Sequence, residues 1–420
     1  MSTLEDQLEA AISYIESGDY ETGIEKTKAL LKLGDDELSY EIAQLYMDWG
    51  LAEEAYSLLK NLIQHHPGHS GMRLTLAEAS IDLDLEDEAI EALQAIHLLD
   101  ENYLSAQVLL ADLYFSQGLE EVAEQRLLEA RKQAPNEPIL TFALAEFYAS
   151  VGQVSEAIDL YKDVLHVKVL EHENIPLKLA EMLSLRGLFE EAMIYYHKGL
   201  EKGESLNGRF GYAVTAMQAG KPQTAIQQLE KLKEMDPAFS SLYPVLADAY
   251  EEEGALEEAI ATLKEGISVD EHNERLYLKL AKVQVKAGQT EPAITTLNDL
   301  LALDNEHLEG MKLLVELYRE TGDSTEIISL YEENELSYDP ELTWYYAFAL
   351  KEEEDVEKAF KTYQDIYFHF SEDPDFLKEY GELAWELGKK EDAIQALEKA
   401  LRLGPDFELE NFLERLKSDL

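Results

Sequence analysis

The sequence predicts an all-α solenoid of about twelve helix-turn-helix repeats, closed by one further helix at its C-terminal end. Three observations predict it. The first is a recurring small residue: Ala55, Ala89, Ala123, Ala157, Ala192, Ala225, Ala259, Ala293, Ala359 and Ala393, with Gly23 and Ile327 filling the two gaps, follow one another at intervals of 32 to 35 residues. A single compact core imposes no such period, whereas stacked two-helix repeats each need a small residue where their helices cross. The second is a turn glycine ahead of nearly every one of these residues, at Gly18, Gly50, Gly118, Gly152, Gly187, Gly220, Gly254, Gly288, Gly322 and Gly388. The third is the apolar pattern between the turns, which runs at helical spacing on both sides of the glycine.

Residues 104–137 show how each repeat is built. Val108, Leu110, Ala111, Leu113 and Tyr114 form the apolar part of a first helix, and Gly118 ends it. Ala123, Leu127 and Ala130 carry the second helix, which Pro135-Asn136 stops. Pro67, Pro237 and Pro405 close second helices at the same position, and Asp35, Glu101, Glu271 and Asn305 stand there in other repeats. At the start of the chain Ser2 or Thr3 is the expected N-cap, with Glu5 and Asp6 in the first turn. At the end, residues 406–420 read as a helix whose Phe412, Leu413 and Leu416 cover the last repeat, while Glu408, Glu410, Glu414, Arg415 and Lys417 face water.

This pattern resembles the tetratricopeptide repeat. The family's Leu-Gly/Ala…Tyr…Gly…Ala…Pro signature falls on Leu110, Ala111, Tyr114, Gly118, Ala123 and Pro135 in the fourth repeat. It falls on Ile42, Ala43, Tyr46, Gly50, Ala55 and Pro67 in the second, and on Tyr380, Gly381, Ala384, Gly388, Ala393 and Pro405 in the twelfth. The resemblance covers nearly the whole chain, and within the family the chain looks like the YpiA-type proteins of Gram-positive bacteria. It implies a right-handed superhelix with first helices lining the concave face and second helices the convex face.

Four places depart from the period. Asp84 and Glu354 stand where turn glycines belong, residues 167–174 hold one extra residue, and around Ile327 the crossing position is bulky and the next repeat arrives two residues early. Asn334 also occupies a usually apolar position. The chain therefore divides into a regular array over 3–322, an irregular joint over 323–339, two C-terminal repeats over 340–407 and a capping helix over 408–420. Ordinary drift of the repeat is the alternative to a real joint.

Composition narrows the function. Of 420 residues, 46% are hydrophobic and the net charge is −52, so the chain can bury a continuous core yet repels nucleic acid and anionic membrane. It contains no cysteine, which removes disulfides, thiolate metal sites and a cysteine nucleophile and fits a cytoplasmic location. Met1 to Asp6 lacks the basic and apolar regions of a signal peptide, and no stretch reaches the ~20 apolar residues that span a bilayer. His65, His66 and His69 form the one local cluster of metal-ligand type, without the spacing of a zinc site. No phosphate-loop, dinucleotide or nucleophile-elbow motif occurs. Asn207-Gly208-Arg209-Phe210-Gly211 is glycine-rich, but no strand precedes it. No enzyme activity, cofactor or metal is expected.

The resemblance places repeat positions 2, 5, 9, 12 and 13 on the inner face. In repeats three to six these include Leu74, Glu78, Ile81 and Asp82, then Val108, Asp112 and Phe115, then Phe142 and Glu146, then Leu177 and Glu181. Position 9 is acidic in all four, giving a carboxylate row flanked by Phe115 and Phe142, with Phe210 a further aromatic in the seventh repeat. Such a strip suits a protein or peptide segment with basic and apolar residues; a solvated acidic face with its aromatics tucked between helices is the alternative. Arg275, Lys279, Lys282 and Lys286 form a basic stripe on one helix of the ninth repeat, which Lys312 and Arg319 extend. It either grips an acidic part of a partner or pairs with local acids such as Glu316 and Glu320. The family's carboxylate clamp needs Lys/Arg at position 5 and Asn at position 9, so the acidic residues here exclude it. The expected function is a non-enzymatic interaction scaffold, with a regulatory or assembly factor whose superhelix changes on partner binding as the alternative.

Overall fold

The computed structural model describes residues 4–334 and 339–418, so the expected N-cap at Ser2 or Thr3 lies outside the described residues. Those residues form helices in consecutive antiparallel pairs, with no strand among them. Close contacts divide the chain into two compact bodies, Met1–Gly208 and Arg209–Leu420.

In the N-terminal body the pairs are α1 (Leu4–Glu16) with α2 (Tyr20–Leu30), α3 (Asp36–Asp48) with α4 (Ala52–His65), and α5 (Ser70–Asp82) with α6 (Glu86–Gln94). Then come α7 (Tyr103–Ser116) with α8 (Glu120–Gln133), α9 (Pro138–Ser150) with α10 (Val154–Val164), and α11 (Ile175–Leu185) with α12 (Phe189–Lys202). The next helix, α13 (Leu206–Gln218), contains the boundary between the bodies and precedes α14 (Pro222–Met235). The C-terminal body continues with α15 (Leu242–Glu252) and α16 (Leu256–Val269), α17 (Glu274–Lys286) and α18 (Thr290–Leu303), and α19 (Leu308–Thr321) and α20 (Ser324–Glu333). It ends with α21 (Pro340–Glu352) and α22 (Val356–Ile366), α23 (Pro374–Glu386) and α24 (Lys390–Leu403), and α25 (Phe407–Ser418).

The crossing residues do what their size requires. All ten recurring alanines are completely buried. A Cβ on Gly23 would stand 2.5 Å from Ile15 Cδ1, so α1 and α2 approach too closely even for alanine. Ile327 is also buried, at 1% exposure, inside a core that includes Leu314, Val315, Tyr318 and Leu342. Its bulk is accommodated by a short α20 that packs less closely on α19 than other second helices do on their partners, while α19 also reaches α21.

The turns explain two of the departures. The ten turn glycines have φ between 66° and 88°, the left-handed region. Asp84 and Glu354 occupy the same turn with φ of 59° and 64°, so the repeat keeps its geometry at a backbone cost where glycine is missing. The extra residue before the sixth repeat is taken up by a 3-10 turn, Lys168–Glu173, and by Asn174 at φ 43°, whose Nδ2 donates to the Gly199 carbonyl at 3.0 Å.

Side chains bridge the expected joint at 323–339, of which residues 335–338 lie outside the described residues. Tyr331 stacks on Tyr346 with ring centroids 4.0 Å apart, and its hydroxyl lies 2.9 Å from Thr343 Oγ1. Glu332 accepts hydrogen bonds from Tyr346 and Lys358, and Lys312 pairs with both Asp339 and Glu341. At the C-terminal end, Leu409, Leu413 and Leu416 of α25 join the core of the last repeats, with Phe412 half-buried beside them.

Candidate functional site

The predicted acidic strip lies on α5, α7, α9 and α11, the first helices of repeats three to six. Leu74 and Ile81 are half-buried and pack on the core beneath them, Val108 is half-buried, and Asp82 is exposed. Burial pushes the carboxyls of Glu78, Asp112 and Glu181 up from the ordinary carboxylate range. A neighbouring carboxylate adds to each, Asp82 beside Glu78 and Glu146 beside both Asp112 and Glu181, while at Glu181 the Lys178 ammonium opposes the rise more strongly than Glu146 adds to it. Asp112 and Glu181 nevertheless remain accessible to water. Protein surrounds them without covering them. None of the three has an ion-pair partner within 4.0 Å among the described residues.

Glu146 differs from the rest of the row. Its carboxylate accepts from Lys178 Nζ at 2.7 Å and from the Tyr161 hydroxyl. The same ammonium lies 5.6 Å from the centre of the Phe142 ring, which also neighbours Tyr161 at 6.4 Å. Phe142, Glu146, Tyr161, Lys178 and Glu181 therefore form one cluster, and Lys178 is its cation. Sequence reasoning overlooked Lys178, although the signal was present: it is the sole lysine or arginine in α7, α9 and α11 together.

The aromatic anchors are only half exposed. Phe115 meets Phe147 edge-on at 5.8 Å and is half-buried, as is Phe142. Leu177, expected on the inner face, instead packs against Gly199 and Gly208 between helices, with its Cδ2 2.5 Å from where a Cβ on Gly199 would stand. Phe210 belongs to the C-terminal body, where its ring lies 5.4 Å from Phe239.

The basic stripe largely pairs with neighbouring acids, as one sequence expectation had it, though with other partners than those named. Arg275, Lys279, Lys282 and Lys286 line a cavity of about 570 Å³ with Leu278, Leu313, Asp248 and Glu251, drawn from α15, α17 and α19. Lys279 pairs with Asp248, Lys286 with Glu251, and Lys282 with Glu309 at 2.5 Å. The partners are Asp248 and Glu251 on α15 and Glu309 on α19, rather than Glu316 and Glu320 further along α19, because first helices of adjacent repeats stand side by side. Lys312 pairs with Asp339 and Glu341, and Arg319 with Glu379 at 2.8 Å. Arg275 is exposed and has no partner among the described residues.

The histidine cluster serves local structure. His66 Nε2 lies 2.8 Å from Asp36, His65 Nδ1 lies 3.5 Å from the same carboxylate, and His69 Nδ1 accepts from the Met72 amide to cap α5. Gly208 and Arg209 of the glycine-rich stretch are inside α13, where the Gly208 amide donates to Ser205 Oγ and Arg209 donates to Gln228 Oε1.

Comparison with known proteins follows the same repeats. YpiA-like tetratricopeptide repeats match residues 115–169, and YpiA-like C-terminal tetratricopeptide repeats match 340–406. The TPR repeat-containing protein YpiA of Bacillus subtilis (strain 168) is 38% identical over 424 residues, covering 100% of this chain and 99% of the relative. The chain belongs to the YpiA-like family of tetratricopeptide-repeat proteins. General tetratricopeptide repeats match this YpiA-like chain again at 50–102, 216–270 and 250–317. Among solved structures, a tetratricopeptide repeat protein from Parabacteroides merdae is 18% identical, covers 59% of this chain and 98% of its own, and superposes with a TM-score of 0.41. YrrB, a TPR protein with an unusual peptide-binding site, is 15% identical, covers 44% of this chain and 95% of its own, and gives a TM-score of 0.39. Tetratricopeptide-repeat proteins generally mediate protein–protein interaction and are typically non-enzymatic. No helix among the described residues of this YpiA-like chain is long and apolar enough to cross a membrane.

Proposed function

We propose that this protein is a non-enzymatic, cytoplasmic interaction scaffold whose α5–α11 face takes a partner segment carrying lysine or arginine beside apolar residues. The observation that carries the reading is the uncompensated charge of Glu78 and Asp112, beside Glu181, which Lys178 offsets only in part. Burial and neighbouring carboxylates raise all three, and no cation pairs with them among the described residues. A partner ammonium or guanidinium supplies the missing counter-charge. Phe115 and Phe142 supply apolar area worth ~25 cal/mol per Å² covered, before ordering costs. The charges set selectivity and association rate. Nucleic acid and terminal-carboxylate ligands are repelled by the same row.

The test is binding of an amidated Lys/Leu-rich peptide, read by fluorescence anisotropy. Phe115→Ala combined with Phe142→Ala is expected to weaken it by about tenfold, the effect of losing roughly 1.4 kcal/mol of contact. Circular dichroism should stay native. Unchanged affinity with a native spectrum refutes this placement of the site.

A further inference from the structure

We propose that the cavity between α15, α17 and α19 is a second docking site of opposite sign, taking an extended partner segment with two carboxylate side chains and an apolar side chain between them. The inference is independent of the acidic strip, since it rests on other residues in the other body.

The cavity's own charges indicate what is missing. Four cations and two carboxylates line it. Lys279 and Lys286 are satisfied by the two lining acids, Asp248 and Glu251. Arg275 remains as surplus, and Lys282 is paired only from outside the cavity. Arg275 is exposed and has no partner among the described residues, and Lys282 leans outward to Glu309, which is itself 62% exposed and contributes no lining. A planar guanidinium without a partner is a fork for a carboxylate. Lys282 can exchange an exposed, weakly held glutamate for a partner carboxylate at little cost. In a protein of net charge −52 such a surplus is local, so it selects at short range and does not steer from a distance.

Geometry sets the ligand's spacing. Arg275 and Lys282 are seven residues apart on α17, which at ~1.5 Å per residue places them about 10 Å apart along one face. A polyproline-like segment repeats its face every three residues at ~3.1 Å each, so carboxylates at i and i+3 span about 9 Å. Leu278 and Leu313 lie in the same cavity and offer apolar surface to the segment that joins the two charged ends. Its volume of about 570 Å³ has room for one such side chain with its backbone.

The probe is an amidated, Gly/Ser-flanked Glu-Leu-Ala-Glu peptide bearing a fluorophore, titrated against the full chain. The proposal expects saturable binding that Arg275→Glu with Lys282→Glu lowers by roughly tenfold or more. Arg275→Gln alone should lower it several-fold, and Leu313→Ala should lower it without altering the salt dependence. Lys361→Glu, at an exposed position outside the cavity, should leave it unchanged. Both charged variants change exposed side chains, and native circular dichroism confirms that they fold. Absence of saturable binding overturns the proposal, as does equal binding by the double variant. Equal binding of a peptide with adjacent glutamates, or full displacement by millimolar inorganic phosphate, also overturns it, by reducing the cavity to a plain anion site. Phe115→Ala with Phe142→Ala should not affect this peptide, so the two docking readings fail separately.

Discussion

Glu379 holds the C-terminal repeats together across the irregular stretch, and removing its charge should loosen them measurably. Its carboxylate, 16% exposed, accepts from Arg319 at 2.8 Å, from the Trp344 indole at 2.6 Å and from the Tyr363 hydroxyl at 2.8 Å. These donors come from α19, α21 and α22, so one side chain on α23 ties three helices that flank residues 335–338. Arg319 also lies over the Phe348 ring at 4.5 Å, and burial beside Glu379 holds the Tyr363 hydroxyl far up. In Glu379→Gln the amide keeps one acceptor and turns its NH2 toward a donor. At least one charge-assisted bond is lost, worth about 1.5–3 kcal/mol, and Arg319, half exposed, partly rehydrates. The expected loss is about 2–3 kcal/mol. Glu379→Leu also orphans the Trp344 and Tyr363 donors, and its loss should approach 4 kcal/mol, below the sum of the separate terms.

The assay uses the placement of the three tryptophans. Trp49→Phe leaves Trp344 and Trp385 as the fluorophores, both in the C-terminal body. Urea unfolding followed by their emission should show the midpoint of Glu379→Gln lower by about 1 M, for slopes of 1–3 kcal/mol per molar. Amides of α23 should exchange faster, while those of α5 to α11 keep their protection. Arg319→Met should be strongly non-additive with Glu379→Gln, because both remove the same pair. A midpoint shift worth less than about 0.5 kcal/mol, or simple additivity, refutes the staple and returns the 323–339 stretch to the status of a free joint.

Two further predictions concern the acidic strip and the turns. Glu78, Asp112 and Glu181 hold protons more readily folded than unfolded, so their contribution to stability improves as pH falls from 7 toward the ordinary carboxylate range near 4–4.5 and is lost as pH rises back. Affinity for the Lys/Leu peptide should run the other way, weakening as the carboxyls protonate, and Asp112→Asn with Glu181→Gln should flatten that dependence; an unchanged pH profile in this variant rejects the strip as the origin. Glu354→Gly should stabilise the C-terminal body by about 0.5–1 kcal/mol, the left-handed penalty of ~1–2 kcal/mol less the entropy that glycine costs. Gly254→Ala should lose about 1 kcal/mol from backbone alone, since nothing lies within 4 Å of its would-be Cβ; equal stabilities by urea unfolding would contradict the turn argument.

The repeat was legible because it is a local property. Helix periodicity, the crossing alanines and the turn glycines each act within about forty residues, and a stack of such repeats needs no long-range code. Even the exceptions at Asp84 and Glu354 could be located in the sequence, since the fold demands one backbone conformation there whatever the side chain. The acidic residues at one repeat position could be located for the same reason, and Glu146 does neighbour both Asp112 and Glu181. What the sequence could not assign was the pairing of long side chains. Arg319 reaches Glu379, sixty residues on, and Lys178 serves Glu146 and Phe142 in the preceding repeat. Likewise, Lys279, Lys286 and Lys282 of the basic stripe pair with Asp248, Glu251 and Glu309 of its flanking repeats. A flexible four-carbon stem among 87 acidic residues has many candidate partners, and only the distances between helices select among them. The sequence by itself therefore determined, through periodicity, where the paired helices, their crossing residues and their turns lie. Tertiary packing alone decided which charges find a partner, because only the distances between helices select among many candidate acids.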